Sequence, residues 1–505
     1  MLTKVMTFAL EGVEPVPVSV EVDIRPGLPT FQIVGLGDTA VRESRERVRG
    51  AIQNSGFEFP MKRIVANLAP ASLRKSGPSF DAALAVGILA ASEQIPLLSI
   101  DGTGIFGELS LSGELKSCAG ALPATEGART LGLSRIFLPE RACAEASLIR
   151  GISIGAVRDL RELHSTLIGE RPLREVEPQP EIVQGSSAPD LSDVVGQPGA
   201  VEALVVAAAG GHNLLLEGPP GTGKTMLARR LPALLPPLDE DELIEVARIQ
   251  SATGIGLNTG SGFCRPFRAP HHSVSAAGLL GGGSVPVPGE VTLAHRGVLF
   301  LDEFPEFRRD ALESLRQPLE EGEVSIVRRA GRLKFPSRFQ LIAAANPCPC
   351  GVGGESNGCQ CPPLSLERYR SRMSGPVLDR IDLSVFVGRP AISDFARAGG
   401  GHPSSTTSKE ASARVQSARQ AQHARLGPGR LNRDMSSEEL TGGGALETAA
   451  ERVLAEAYER HRLSPRGRVR VLRVARTVAD LEGEDTISQD SVLAALAFRM
   501  RGPKR

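Results

Sequence analysis

The octapeptide GPPGTGKT at residues 218–225 constrains this 505-residue chain more than any other feature. The apolar run Leu214-Leu215-Leu216 leads into it, and the helix-forming run MLARRL leaves it. A strand, a glycine loop ending in Lys-Thr and a helix form one functional unit. The glycines let successive backbone N–H groups turn toward a phosphate at a helix N-terminus. Gly218, Pro219, Pro220, Gly221, Thr222 and Gly223 form the expected cradle. Lys224 is expected to reach the β- and γ-phosphates, and the Thr225 hydroxyl to ligate Mg2+. Such a unit is carried on a parallel sheet, so the expected class is α/β. Downstream, VLFLDE at 298–303 supplies a second buried strand with an acidic tip. Asp302 is placed to bind the same magnesium ion, and Glu303 to orient or deprotonate an attacking water. Alone, that tip reads equally well as a solvated acidic pair; the upstream loop favours the nucleotide reading.

Cys348, Cys350, Cys359 and Cys361 are four of the seven cysteines, and they follow Ala343-Ala344-Ala345-Asn346-Pro347 directly. The alanine run reads as the end of a buried strand with Asn346 at its tip. Gly351, Gly353 and Gly354 let the loop turn, and four thiolates around it suit tetrahedral Zn2+ in a closed, structural site. An iron–sulfur cluster and free or redox thiols are the alternatives. His271 and His272 are adjacent, so their side chains point different ways, which disfavours a shared metal.

Composition narrows the partners. Basic and acidic residues balance at 58 each, so any nucleic-acid surface has to be local. There is no Trp, and Tyr369 and Tyr458 are the only tyrosines, which argues against base stacking on a row of aromatics. Residues 323–339, EVSIVRRAGRLKFPSRF, read as two short strands around Ala330-Gly331. They carry Arg328, Arg329, Arg332, Lys334 and Arg338, which suits sequence-independent, salt-sensitive phosphate contacts. A merely solvated basic hairpin is the alternative. The longest apolar stretch of the N-terminal third, Ala82 to Ala91, is shorter than the about 20 residues a membrane span needs. Glu11 interrupts the N-terminus before a signal core forms, so a cytoplasmic location is expected. In that compartment clustered cysteines favour metal over disulfide.

The organisation expected is a mixed α/β domain over 1–168, a Pro- and Glu-rich linker over 169–190, an α/β core over 191–395 with a cysteine insertion at 348–361, a polar loop over 396–409 and a helical domain over 410–505. Within the first domain, VSVEVDI at 18–24 reads as a strand and IVANL at 64–68 as another. Asp38 and Thr39 are placed to cap a helix through Val41, Val48 and Ile52, and DAALAVGILAA reads as a helix.

DVVGQPGAVEAL at 193–204, the phosphate loop, LFLDE, Asn346 and LDRID at 378–382 together resemble AAA+ ATPases. The segment PFRAPHHSVSAAGLLGGGSVPVPGEVTLAHRGVLFLDE at 266–303 is more specific and resembles the magnesium-chelatase-like branch, in particular the ComM/YifB group. The likeness covers nearly the whole chain. It implies a P-loop AAA+ parallel-sheet core with a C-terminal helical lid, preceded by a mixed α/β Lon-protease-like domain. By resemblance, Asn346 matches sensor 1 and polarises the attacking water. Arg380 matches the arginine finger that reaches a neighbouring subunit's γ-phosphate, and Arg466 in LSPRGRVRVLR matches sensor 2. A guanidinium stays charged and grips phosphate in a bidentate fashion; from spacing alone, both arginines read as surface charges. A finger acting between subunits implies a ring, usually a hexamer, with the Gly-rich stretch at 279–284 and the basic hairpin facing its pore. KSGPSFDAALAVGILAA at 75–91 resembles the Lon serine segment, with Ser79 in the nucleophile position. A Ser–Lys dyad needs a lysine to take the hydroxyl proton. Leu122 stands at that position and Lys116 is out of register, so no peptidase activity is expected. The activity implied is an ATP-dependent DNA motor, driving branch migration of recombination intermediates during natural transformation. ATP, Mg2+ and a structural Zn2+ are the implied cofactors, and single-stranded or branched DNA the implied partner. An ATPase subunit of a metal chelatase and a protein-remodelling AAA+ ATPase are the alternatives.

Overall fold

The computed structural model describes residues 2–35, 37–176, 189–255, 264–283, 286–328, 331–352, 359–373, 375–394, 406–460 and 463–499. Much of the expected linker and polar loop lies outside these residues, as do Ser284, Arg329, Gly353 and Gly354. Two compact units emerge: Met1–Val183 with Asp239–Phe263, and Gln184–Leu238 with Cys264–Arg505.

The N-terminal unit is built on seven strands: β1 (Leu2–Glu11), β2 (Glu14–Arg25), β3 (Thr30–Val34), β4 (Arg63–Ala69), β5 (Thr103–Ile105), β6 (Arg135–Pro139) and β7 (Ser153–Val157). Their order is β3-β4-β2-β1-β5-β6-β7, with antiparallel pairing in β1–β2 and β2–β4 and parallel pairing elsewhere. Helix α1 (Thr39–Asn54) begins where Asp38 accepts from the Val41 N–H at 3.0 Å. Helix α2 (Asp81–Ala91) is buried along its whole length and packs on the sheet. Each Leu, Ile or Val it hides contributes about 1.5–3 kcal/mol. Its one charge, Asp81, is paired with Arg47 at 2.7 Å; burial still pushes that carboxyl above the ordinary range, against the Arg47 hydrogen bond. Helix α3 (Ala121–Thr130) covers β1 and β2.

The second unit carries an all-parallel sheet. Its strands are β8 (Leu214–Glu217), β9 (Phe267–Arg268), β10 (Val298–Leu301), β13 (Gln340–Ala345) and β14 (Leu383–Phe386), in the order β9-β10-β13-β8-β14. β10 and β13 are buried at every position, as strands covered on both faces are. Between them the chain forms a hairpin of β11 (Glu323–Arg328) and β12 (Gly331–Pro336), paired from Glu323↔Pro336 to Arg328↔Gly331. Helix α4 (Pro198–Gly210) precedes β8, and α5 (Lys224–Ala228) follows the phosphate loop. Beyond a short helix at Leu231–Leu234, α6 (Glu240–Thr253) lies within the 191–395 span by sequence, yet it folds with the N-terminal unit. The C-terminal region is helical, with α8 (Ser408–Leu426), α9 (Thr448–Arg460), α10 (Pro465–Glu482) and α11 (Gln489–Ala497) following the short α7 (Arg316–Glu321). Val471, Leu472, Val474 and Ala475 of α10 join the core that holds Leu214, Leu216 and α4. Among the described residues no helix is long and apolar enough to cross a membrane.

Candidate functional site

The register of the parallel strands sets the site. Leu216 pairs with Ala344 and Leu301 with Ala343, so β8, β10 and β13 end side by side. The phosphate loop, Asp302 and Asn346 leave these ends, where open α/β sheets bind ligands. Gly221 and Gly223 adopt φ of 76° and 90°, values that favour glycine and that turn the loop around α5. Lys224 is 8% exposed, and its ammonium donates to the Gly218 carbonyl at 2.7 Å, the Pro219 carbonyl at 2.8 Å and Asn346 Oδ1 at 3.1 Å. Burial lowers its pKa, with the nearby Asp302 opposing. Thr225 Oγ1 donates to Asp302 Oδ2 at 2.7 Å, and Asp302 Oδ1 accepts from the Glu303 N–H at 2.9 Å. Four residues singled out separately in sequence, Lys224, Thr225, Asp302 and Asn346, thus meet.

The donor set fits a magnesium nucleotide. An anion at the loop finds the α5 N-terminus and an ammonium whose present partners are neutral oxygens. A hydroxyl and a carboxylate in mutual contact offer two hard oxygens to a cation.

Glu303 has φ of 52°, in the left-handed region uncommon outside glycine. Its carboxylate lies 3.0 Å from His272 Nδ1. His272 lies against His271, with ring centroids 4.1 Å apart and planes tilted by 34°, and meets Phe307 edge-on. The sequence disfavours a metal at this histidine and favours a hydrogen-bonding or pore-facing role, without naming Glu303 as the partner. The hallmark segment containing it was the available signal.

The arginines take less expected positions. Arg380 is only 13% exposed and pairs within its own chain with Glu320 of α7. Burial lowers its pKa, and the positive charges of Arg316, Arg466 and Arg470 add to the effect. Arg466 is exposed near the start of α10. Arg470, one turn further, donates to the Ile381 carbonyl at 3.2 Å and lies 3.5 Å from Asp379. In the basic hairpin, Lys334 pairs with Glu323 at 2.7 Å and Arg332 donates to Ser325 at 2.5 Å. Side-chain placement is described for Arg332 and Lys334 but not for Arg328 or Arg329.

All seven cysteines are unbridged. The Sγ atoms of Cys348, Cys350, Cys359 and Cys361 lie within 4.8 Å of one another. Cys348–Cys350 is 3.1 Å, Cys350–Cys359 3.5 Å and Cys359–Cys348 3.6 Å. Four thiolates on one Zn2+ stand about 3.8 Å apart at a Zn–S length of about 2.3 Å, a spacing that falls between the three shorter separations and the 4.8 Å bound, so a small readjustment separates this arrangement from a closed zinc site. The loop also touches the nucleotide site. Gly351 has φ of 81°, and a Cβ there would lie 2.7 Å from Pro220 Cδ of the phosphate loop.

In the N-terminal unit, Ser79 is 8% exposed and Leu122 is buried against Ile149 and Ala247. Lys116 is exposed on a short strand. Lys75 is buried, and its ammonium is committed to the Pro70 carbonyl.

A phosphate loop, an acidic strand tip and a polar sensor position on adjacent parallel strands define a P-loop ATPase of the AAA+ type. Three family models match the chain: subunit ChlI of Mg-chelatase over residues 20–142, magnesium chelatase subunit ChlI over 190–394 and magnesium chelatase subunit ChlI C-terminal over 405–499. An uncharacterized protein of Mycobacterium tuberculosis is 43% identical over 512 residues, covering all of both chains. YifB of Escherichia coli is 41% identical over 498 residues, and the competence protein ComM of Haemophilus influenzae 41% identical over 503; each alignment covers 99% of this chain and 97% of the relative. Lon protease 2 of Bacillus subtilis is 30% identical over 161 residues, 29% of this chain and 28% of that protein. The chain belongs to the ComM/YifB family of magnesium-chelatase-like AAA+ proteins.

Proposed function

We propose that the protein is an ATP-driven motor on single-stranded or branched DNA. In this reading it works as a cytoplasmic ring of its own copies, six per ring, and drives branch migration of recombination intermediates during natural transformation. The observation that carries the ATP step is the meeting of Lys224, Thr225, Asp302 and Asn346 at three adjacent strand ends. Phosphates entering the loop would draw the Lys224 ammonium from the Gly218 and Pro219 carbonyls. Thr225 and Asp302 would hold Mg2+, which would supply neutralisation of the charge that develops on the phosphates. Asn346 then holds the attacking water and Glu303 takes its proton, with His272 fixing the carboxylate. Arg380 of one subunit completes a neighbour's site, and Arg466, on a helical lid formed by the C-terminal helices, closes over the subunit's own nucleotide.

Two observations support DNA as the track. The likeness to a competence protein extends over 99% of the chain. A hairpin of the ATPase unit also projects Arg332 and Lys334. Zn2+ on the four cysteines would brace the loop that touches Pro220. The N-terminal unit serves as a Lon-like body without peptidase activity, because Ser79 lacks its lysine.

The chelatase models favour a second reading, an ATPase that drives Mg2+ insertion into a tetrapyrrole. The two separate in one experiment. ATP turnover is measured with forked DNA, and with tetrapyrrole and candidate chelatase partners. Stimulation by DNA that weakens with salt supports the motor; stimulation only by the second mixture replaces it.

A further inference from the structure

Helix α6 belongs by sequence to the ATPase unit and by packing to the N-terminal unit. The chain leaves the ATPase unit after Leu238 and re-enters at Cys264. Within the N-terminal unit the helix is firmly seated. Ala247 is fully buried against Leu122 and Ile149, with Ile244 packed beside them. The Gly120 N–H donates to the Ser251 carbonyl at 2.9 Å, and the Leu122 N–H donates to Ser251 Oγ at 3.2 Å. That hydroxyl in turn donates to Glu145 at 2.9 Å. Arg248 bridges Glu126 at 2.7 Å and Glu14 at 3.2 Å. Asp239 caps the start of the helix, and Gly254, with φ of 71°, ends it.

The root of the excursion is tied as well. Arg265 follows the return point directly. Its guanidinium donates to the Pro236 carbonyl at 2.7 Å and the Pro237 carbonyl at 3.3 Å, just before the exit, and to the Arg296 carbonyl at 2.8 Å, just before β10. The outgoing and returning chains are therefore held at one point of the ATPase unit. Between Lys224 and the capping Asp239 lie α5, the short helix Leu231–Leu234 and Leu235-Pro236-Pro237-Leu238. Three prolines, Pro232, Pro236 and Pro237, and two short helices leave this connection little slack.

We infer that α6 is a coupling arm by which nucleotide occupancy of the phosphate loop is felt at the α3 face of the N-terminal unit, around Leu122. The inference rests on residues 218–225 being a nucleotide site. A displacement of α5 on binding travels along the stiff connector to a helix that cannot slide in its seat. Coupling of this kind is reciprocal, so disturbing the seat alters nucleotide affinity by the same factor.

Amide hydrogen exchange of the full-length protein, with and without a saturating non-hydrolysable ATP analogue, tests the arm. The exchange rates of Ala121–Thr130 and Glu240–Thr253 are expected to change by about fivefold or more, the lower end of usual coupling factors. Arg265→Ala should still bind the analogue, with an affinity changed by no more than the lost coupling factor, and lose the response at Ala121–Thr130. Arg248→Glu should lose it too, and the double variant Arg248→Glu/Glu126→Arg should recover it, which separates uncoupling from misfolding. Analogue binding with no response at Ala121–Thr130 in the wild type overturns the arm while leaving the nucleotide site intact. A wild-type response retained by both single variants overturns it equally. Failure of the wild type to bind the analogue overturns the ATPase reading and the arm together.

Discussion

The pairing of Arg380 with Glu320 inside one chain has a measurable consequence. If Arg380 completes a neighbour's site, it has to leave Glu320 first, so Glu320 competes with the neighbour's γ-phosphate. Glu320 is 57% exposed and Arg380 13%, which places the pair at the surface end of the ion-pair scale, about 0.5–1 kcal/mol. Glu320→Gln keeps the size and a hydrogen-bond acceptor but removes the charge. Releasing that competition shifts the equilibrium toward engaged arginine by about two- to fivefold, since about 1.4 kcal/mol is tenfold. The assay is ATP turnover per subunit against protein concentration, starting where assembly is incomplete. The variant should turn over about two to five times faster there and converge with the wild type as rings saturate. Arg380→Ala should be inactive at every concentration. Turnover in Glu320→Gln equal to or below wild type at low concentration would refute the competition. Full activity of Arg380→Ala would remove the intersubunit role altogether.

Four further outcomes follow from the geometry. His272→Ala should lower kcat about tenfold with KM for ATP unchanged, because a general base loses its orientation rather than its nucleotide; steady-state kinetics reads the split. Gly351→Ala places a Cβ 2.7 Å from Pro220 at a φ of 81°, which costs about 1–2 kcal/mol and should weaken nucleotide binding about five- to thirtyfold in a fluorescent-nucleotide titration. Zinc content measured on the purified protein should be one ion per chain, and Cys348→Ser should lose it along with ring assembly in sedimentation. Burial raises the pKa of Glu145, with the Ser251 hydrogen bond opposing. The folded state therefore holds its proton to higher pH than the unfolded state, so stability from this group is present below about pH 4.3 and falls as pH rises through the folded value. Glu145→Gln should flatten that slope in thermal melts between pH 4 and 7.

The nucleotide loop was legible because its chemistry is local. Strand, glycine turn, Lys224 and Thr225 are contiguous, and every peptide needed for the cradle is in the motif. The elements α1, β4 and α2 were legible for a similar reason: a side-chain cap at Asp38 and short apolar runs fix them without reference to distant residues. The contact of Thr225 with Asp302 agrees with the expectation that both serve one magnesium ion, although β13 lies between β8 and β10. The partners of Glu303 and Arg380 were not legible, because His272 and Glu320 reach them through tertiary packing that no spacing rule encodes. The same limit hid α6. Its amphipathic pattern states that one face is buried, and nothing in it states that the burying surface is α3 of the N-terminal unit, into which α6 folds. From sequence, the basic hairpin offers five cations for phosphate contacts or for solvent. Its cross-strand pairing instead sets Lys334 opposite Ser325 and beside Glu323, which neutralises part of the row.

Coupling of ATP hydrolysis to movement on branched DNA is the central claim, and one assay reaches it directly. Purified protein is mixed with a mobile four-way DNA junction carrying a labelled strand, with ATP, and product duplexes are followed with time. The expected result is conversion of the junction to duplexes by the wild type, with ATP turnover raised by the junction, and none by Glu303→Gln. ATP turnover indifferent to DNA, with the junction left intact by the wild type, would contradict it.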